Sequence, residues 1–169
     1  MHINYNYIKY AVAIILAILL QKTFIWLISL SNINITPDIV LIVVAYIAIK
    51  EGKITGTIAG FIAGILIDSI SGSFFGLLAL CYTIAGFVAG HFKTESDMYL
   101  RKINFLIIIF LSSFISNILN YFIFFQGTVL TIPEIFTKYV LTSSAYTTIV
   151  SIIYILFPKR NSGSEGYSS

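Results

Sequence analysis

Long apolar runs separated by short polar breaks dominate the chain, and they predict six helices. The first run covers about 8–30, which as a helix of about 34 Å is long enough to cross a bilayer. The remaining predicted spans cover about 37–50, 54–70, 74–91, 103–125 and 133–157. We therefore expect an all-α membrane protein: a bundle of six transmembrane helices within residues 1–158, without a soluble domain. Residues 159–169 are polar and rich in glycine and serine, which predicts a disordered cytoplasmic tail.

The second predicted span is short, at about 20 Å of helix. Its start is indicated by Thr36 as a cap, Pro37 at the first helical position and Asp38 near the positive end of the helix dipole. The second and third segments could instead form a re-entrant hairpin. That hairpin would leave the charged turn at 50–53 near the middle of the bilayer, at about 2.5 kcal/mol or more per charge. The sequence therefore favours two short or tilted crossings.

Glycines recur at every fourth position from the third predicted span onward. They are Gly56, Gly60, Gly64, Gly72 and Gly76, with Asp68 in the missing position, and Gly86 and Gly90 repeat the spacing in the fourth span. In a soluble helix each glycine costs about 1 kcal/mol relative to alanine, but in a membrane small residues let helices approach closely. This ridge predicts helix packing within the chain, and the alternative is a groove for another protein. The variant Gly64→Leu separates the two interpretations. If the variant protein is lost from the membrane fraction, the ridge packs within the chain. If its membrane level is normal but it captures a partner protein less well, the ridge is a groove for that partner.

Polar residues form one stripe on each of the last two predicted spans. The stripes consist of Ser113, Ser116, Asn117 and Asn120 on the fifth span and Ser143, Thr147 and Ser151 on the sixth. Their spacing places each set on one helix face, where polar side chains can hydrogen-bond between helices in a bilayer. We expect the two stripes to face each other. The residues from Thr131 to Glu134 also predict a capping box at the start of the sixth helix.

Composition and charge support a membrane location. The chain is 58% hydrophobic and only 10% charged, against about 25% charged residues in ordinary soluble domains. The net charge of +3 could indicate nucleic acid or anionic lipid, but no basic face with interleaved aromatics is present. Eight of the ten Lys and Arg residues lie in the N-terminus, the second and fourth loops and the tail. This bias predicts that both termini are cytoplasmic, and nucleic-acid binding is not expected.

The loop charges lead to a topology prediction. Reporters that are active only outside the cytoplasm should be active when fused near Asn34, Gly72 or Gly127. The same reporters should be inactive near Gly52 and in the fourth loop and tail. An active fusion in the strongly basic fourth loop, near residue 96, would contradict the six-span model.

Three charged residues lie within the predicted spans: Lys22, Asp38 and Asp68. Measured from the cytoplasmic helix ends, Lys22 lies about 20 Å and Asp68 about 21 Å along its helix. Their equal depth and opposite charges predict an ion pair, because an unpaired charge at this depth costs about 2.5–3.5 kcal/mol. The alternative is that Lys22 extends to the outer interface.

The two carboxylates could also be the acid and base of an intramembrane aspartyl peptidase. No further catalytic motif accompanies them, and structural roles are favoured: dipole stabilisation for Asp38, and a packed or ion-paired carboxylate for Asp68. Neither a G-x-S-x-G motif nor a phosphate-binding loop is present, and Cys81 is the single cysteine. We therefore predict no catalytic residue, no cofactor and no metal site, and the chain is not expected to be an enzyme.

The order of several motifs resembles the MreD family of bacterial rod shape-determining membrane proteins. The matching residues are Pro37-Asp38-Ile39-Val40-Leu41, Gly60-x-x-x-Gly64-x-x-x-Asp68, Ser71-Gly72 and Gly76-Leu77-Leu78-Ala79-Leu80. They lie within about 37–90, roughly a third of the chain. Many members of that family have histidine where this chain has Leu78, so a role specific to that position is not carried over.

The resemblance implies a non-enzymatic, multi-pass component of the cell-elongation complex, the elongasome, in the bacterial inner membrane. Such proteins bind an MreC-like bitopic partner and act indirectly with MreB and the RodA–penicillin-binding-protein synthase in lateral peptidoglycan synthesis. The alternative is a substrate-binding subunit of an energy-coupling-factor vitamin transporter. The chain also resembles these subunits in its six short spans and in the small-residue pair Ala13-x-x-x-Ala17. A co-purifying vitamin would favour transport, and a co-purifying bitopic protein would favour the shape-determining complex.

Overall fold

The structure is a computed structural model, and it describes residues 5–28, 36–72, 74–92, 98–126 and 132–156. Five α-helices are α1 (Tyr5–Ile28), α2 (Ile39–Glu51), α3 (Lys53–Ser71), α4 (Leu77–His91) and α5 (Met98–Phe124). A sixth helical segment, α6, spans 132–156 and consists of a helical turn at Ile132–Glu134, a π-helix at Ile135–Leu141 and an α-helix at Thr142–Leu156. The described residues contain no strand, which confirms the predicted all-α class for this part of the chain.

Two of the described helices are long and apolar enough to cross a membrane, namely α3 and the Ile103–Phe124 part of α5. The helix α4 is apolar but shorter, and α2 has only 13 residues. The number of crossings and the location of the termini therefore stay predictions. The predicted capping threonine Thr131 and the tail at 159–169 lie outside the described residues.

The short helix α2 lies at the centre of the bundle. Its residues Val40, Val44 and Ala48 are completely buried, and it packs against α1, α3, α4 and α5. A helix surrounded by others has no polar face, which explains why α2 is apolar on all sides. One apolar cluster joins α2 to α1, α3 and α4, and a second joins it to α4 and α5.

The helices α3 and α4 are packed at backbone distance through their glycines. A Cβ atom added to Gly60 would lie 2.6 Å from the backbone carbonyl carbon of Tyr82, and one added to Gly64 would lie 2.6 Å from the carbonyl oxygen of Leu78. At the end of the pair where α3 begins and α4 ends, Gly56 faces Gly86, and Gly90 faces the backbone of Lys53. These contacts fill the glycine face of α3 with α4, so the groove at Gly56, Gly60 and Gly64 is occupied by the chain itself.

Two glycines of the predicted ridge have a different role. Gly72 (φ 63°) ends α3 and Gly76 (φ 94°) precedes α4, and a Cβ atom at either position would meet open space. Their assignment to a helix-packing surface is therefore wrong, because they permit the left-handed backbone of a tight turn. The fourth helix consequently begins at Leu77 rather than at Phe74. At the other end of α3, Gly52 (φ 100°) alone connects α2 to α3.

Except for the half-buried Asn120, the polar stripes of α5 and α6 are buried, and they meet. Ser113, Ser116 and Asn117 on α5 and Ser143, Thr147 and Ser151 on α6 are all at most 6% exposed. Asn117 Nδ2 donates to Ser144 Oγ across the interface at 3.0 Å. In the π-helix that precedes this contact, the buried positions are five residues apart, at Ile135 and Val140.

Candidate functional site

The amino end of α2 is enclosed by side chains from three other helices. It lies at the end of the bundle where α1, α3 and α5 end and α4 begins, the end that the charge pattern predicts to face outward. We call it the outer end. A helix start leaves up to four N–H groups without helical partners, and in a membrane protein they cannot all reach water.

Asp38 caps α2 directly. Its Oδ1 accepts a hydrogen bond from the backbone N–H of Leu41 at 3.0 Å, and α2 begins at Ile39. The predicted stabilisation of this helix start by Asp38 is therefore present, but the cap is Asp38 and not Thr36, and Pro37 lies outside the helix. The second carboxylate oxygen, Oδ2, accepts a hydrogen bond from the Tyr82 hydroxyl of α4 at 2.6 Å.

Two further side chains complete the cap from other helices. Gln21 Oε1 of α1 accepts from the backbone N–H of Val40, and Thr147 Oγ1 of α6 accepts from the backbone N–H of Asp38, each at 3.1 Å. The polar stripe on α6 therefore serves α2 as well as α5. Together these bonds hold α1, α4 and α6 around the start of the central helix.

Asp68 performs the equivalent task for α4. Its carboxylate is 2% exposed and accepts hydrogen bonds from the backbone N–H groups of Gly76 (2.9 Å), Leu78 (3.3 Å) and Ala79 (3.1 Å). A carboxylate at a helix amino end is stabilised both by these bonds and by the helix dipole. Asp68 is thus a packed structural carboxylate that closes the turn between α3 and α4.

The predicted ion pair between Lys22 and Asp68 is wrong. Lys22 Nζ donates instead to Ser71 Oγ at 2.7 Å, at an exposed position where α1 meets the end of α3. Asp68 needs no cation, because three backbone N–H groups and the dipole of α4 already stabilise its charge. The ion pair that the described residues do form, Lys138 with Glu134 at 3.9 Å, is an exposed i,i+4 pair on α6.

A polar cavity of about 190 Å³ opens beside the capped end of α2. The polar groups of its walls are one cation, one carboxylate and several amides and hydroxyls. They come from α1, α3, α4, α5 and α6 and from the residues preceding α2, and α2 itself adds the apolar Val40. The lining residues are Ile18, Gln21, Lys22, Thr36, Asp38, Val40, Ile67, Ser71, Leu78, Tyr82, Asn117, Asn120, Tyr121 and Ser143. We call this site the outer cavity. It contains Lys22 and Asp38 of the three predicted intramembrane charges, and Asn117, Asn120 and Ser143 of the polar stripes.

The two carboxylates are not arranged as an acid–base pair. Asp38 lines the outer cavity, whereas Asp68 does not, and their hydrogen bonds go to different groups. Within the described residues, no group of three or more His, Cys, Asp or Glu side chains could hold a metal ion. The free thiol of Cys81 is buried.

The sequence did not single out two of the residues that build this site. Tyr82 lies in an apolar run, where an aromatic residue is typical of membrane-facing or core positions, so nothing local indicated its bond to Asp38. Gln21 is a polar residue inside a predicted span, which is a signal that locates it but does not identify its acceptor role. Both partners are distant along the chain, 44 residues for Tyr82 and 19 for Gln21.

Comparison with known proteins gives one finding. The family model described as rod shape-determining protein MreD matches residues 1–160 of the chain. No curated protein and no solved structure matches it.

Proposed function

The chain belongs to the rod shape-determining protein MreD family, and on this premise we propose that it is a non-enzymatic inner-membrane component of the cell-elongation complex. It binds an MreC-like bitopic protein and, through it, helps MreB and the RodA–penicillin-binding-protein synthase to organise lateral peptidoglycan synthesis. The family match over 1–160 carries this proposal. The membrane character of the family and the two apolar helices of sufficient length fit a multi-pass membrane location.

The structure supports a scaffolding role through the tasks of its polar residues. Asp38 and Asp68, the buried or half-buried carboxylates within the predicted spans, stabilise helix starts. The glycine face of α3 is covered by α4, so a partner helix binds elsewhere on the bundle. Apolar side chains such as Phe61 and Ile62 on the other face of α3 are half exposed, as expected for contacts with lipid or with other membrane helices.

Capture of the bitopic partner tests this function. The tagged chain is co-expressed with the MreC-like protein from the same bacterium, extracted in mild detergent and purified by its tag. We expect the bitopic protein to co-purify with this chain and not with an unrelated tagged multi-span protein that is expressed at the same level. Failure to recover the partner from membranes that contain both proteins would contradict the proposal. A tightly bound vitamin in the purified protein would support the transporter alternative instead.

A further inference from the structure

The outer cavity holds two opposite charges, and neither is used in an ion pair. Lys22 bonds to a serine hydroxyl and Asp38 to a tyrosine hydroxyl and a backbone N–H, whereas the described ion pair involves Lys138 and Glu134. Lys22 has three N–H donors and uses one. A carboxylate has about four acceptor positions, of which Asp38 uses three, because the Gln21 side chain is a further partner. Both charges therefore keep hydrogen-bonding capacity.

A buried amide supplies a further acceptor with a defined orientation. The Ser144 hydroxyl donates its proton to the carbonyl oxygen of Val140, so towards Asn117 it can only accept. The group of Asn117 that faces Ser144 is therefore its NH₂, which donates to Ser144 at 3.0 Å and to Ser113 at 3.3 Å. With both amide hydrogens used, the carbonyl oxygen of Asn117 is the group that this residue can offer to the cavity it lines.

The size of the cavity limits its ligand. A volume of about 190 Å³ corresponds to about six water molecules, and it is smaller than the roughly 300–1,000 Å³ of sites for drug-sized ligands. A small head of a molecule fits, whereas a nucleotide or a folded peptide does not. A ligand with a single charge could form an ion pair with Lys22 or with Asp38, but not with both.

We propose that the outer cavity binds a small zwitterionic group, a primary ammonium next to a phosphate or carboxylate, as in a phosphoethanolamine head. The anionic part accepts from the free N–H groups of Lys22. The ammonium donates to the carboxylate of Asp38 and to the carbonyl oxygen of Asn117. This inference does not depend on the proposed partner.

Two sources share this chemistry: a phosphatidylethanolamine headgroup from the membrane and a free soluble zwitterion. The protein has exposed apolar side chains next to the site that could contact acyl chains. Leu19 on α1 is 58% exposed and Ile70 on α3 is 61% exposed, and these residues lie close along their helices to Lys22 and Ser71. The experiment below separates the two sources.

The test measures the thermal midpoint of the purified full-length protein in detergent during titration with three probes. These are dihexanoyl-phosphatidylethanolamine, dihexanoyl-phosphatidylcholine and free glycerophosphoethanolamine. We expect the ethanolamine lipid to raise the midpoint in a saturable manner. The choline lipid should have a much smaller effect, because its quaternary ammonium has no N–H to donate. A matching rise with the free head group indicates that a soluble zwitterion suffices, and a rise with the lipid alone assigns the membrane as the source.

Two cavity variants and one matched control complete the design. Lys22→Met and Asp38→Asn should each weaken the apparent affinity for the ethanolamine probe about 10- to 100-fold, the range for a hydrogen bond to a charged group. Asn is itself a good helix cap, so Asp38→Asn is expected to fold. Lys138→Met removes a lysine that does not line the cavity and should bind as the unaltered chain does. Equal effects of the two lipids, no shift with any probe, or unchanged affinity in both cavity variants would overturn the proposal.

Discussion

Replacing Gly60 or Gly64 with alanine is expected to lower the thermal stability of the protein, although alanine is the better helix former by about 1 kcal/mol. The physical reason is the backbone contact with α4. The added methyl group would lie less than 3.0 Å from backbone atoms of Tyr82 at Gly60, and of Leu78 and Ala79 at Gly64. Backbone atoms cannot rotate away as a side chain does, so the two helices must separate. We expect a loss of about 1–3 kcal/mol for each alanine variant and a larger loss for Gly64→Leu.

The measurement is the thermal midpoint in detergent, together with the amount of each variant in the membrane fraction. Ser69→Ala and Ser69→Leu are the matched controls, since Ser69 is exposed on the same helix and its hydroxyl bonds only to the carbonyl of Ile65 one turn earlier. These controls should change stability by at most about 0.5 kcal/mol. If Gly64→Leu kept normal levels and a normal midpoint, the close packing of α3 on α4 would be refuted.

Asp68→Asn is expected to destabilise the protein by about 3 kcal/mol or more, because a buried carboxylate with three bonds is replaced by an amide. At Asp68 one oxygen accepts from Gly76 and Ala79 and the other from Leu78. All three donors are backbone N–H groups and cannot reverse their direction. The NH₂ group of asparagine would therefore face at least one N–H donor, and the amino end of α4 would lose its counter-charge.

Asp38→Asn is the matched comparison for this prediction. Asp38 accepts from one backbone N–H and otherwise from side chains, namely the Gln21 amide and the Tyr82 hydroxyl, and the hydroxyl can rotate and accept from an amide instead. The loss at Asp38 should therefore be about 1 kcal/mol or less, and the midpoints of the two variants in detergent should differ clearly. If Asp68→Asn and Asp38→Asn lowered stability equally, the bonds from Asp68 to the α4 backbone would not be the reason for its contribution to stability.

A double-mutant cycle tests the corrected account of Lys22. Since Lys22 bonds to Ser71 and not to Asp68, the losses in Lys22→Met and Asp68→Asn should add in the double variant. A partial recovery in Lys22→Met/Asp68→Asn, relative to the sum of the single variants, would restore the ion pair that the depth argument predicted.

Local signals in the sequence were sufficient to locate the helices. Apolar runs and the glycine, proline and charged residues between them predicted six segments, and the structure has helical segments at these positions within the described residues. The spacing of Ser113, Ser116 and Asn117 placed them on one buried face because helical periodicity depends only on neighbours along the chain. The motif order from Pro37 to Leu80 likewise indicated the family that the match over residues 1–160 shows.

Tertiary structure alone decided which groups meet. Residue counts give the depth of Lys22 and Asp68 along their helices. Depth does not determine the lateral position or the rotation of a helix, and in the structure Asp68 faces the start of α4. The four-residue spacing did not distinguish glycines that pack, such as Gly60, from those that turn the chain, such as Gly72, because the difference is the sign of φ. The outer cavity unites residues of α1, α2, α3, α4, α5 and α6. Such a set is determined by how the helices pack against one another, and no local pattern in the sequence encodes it.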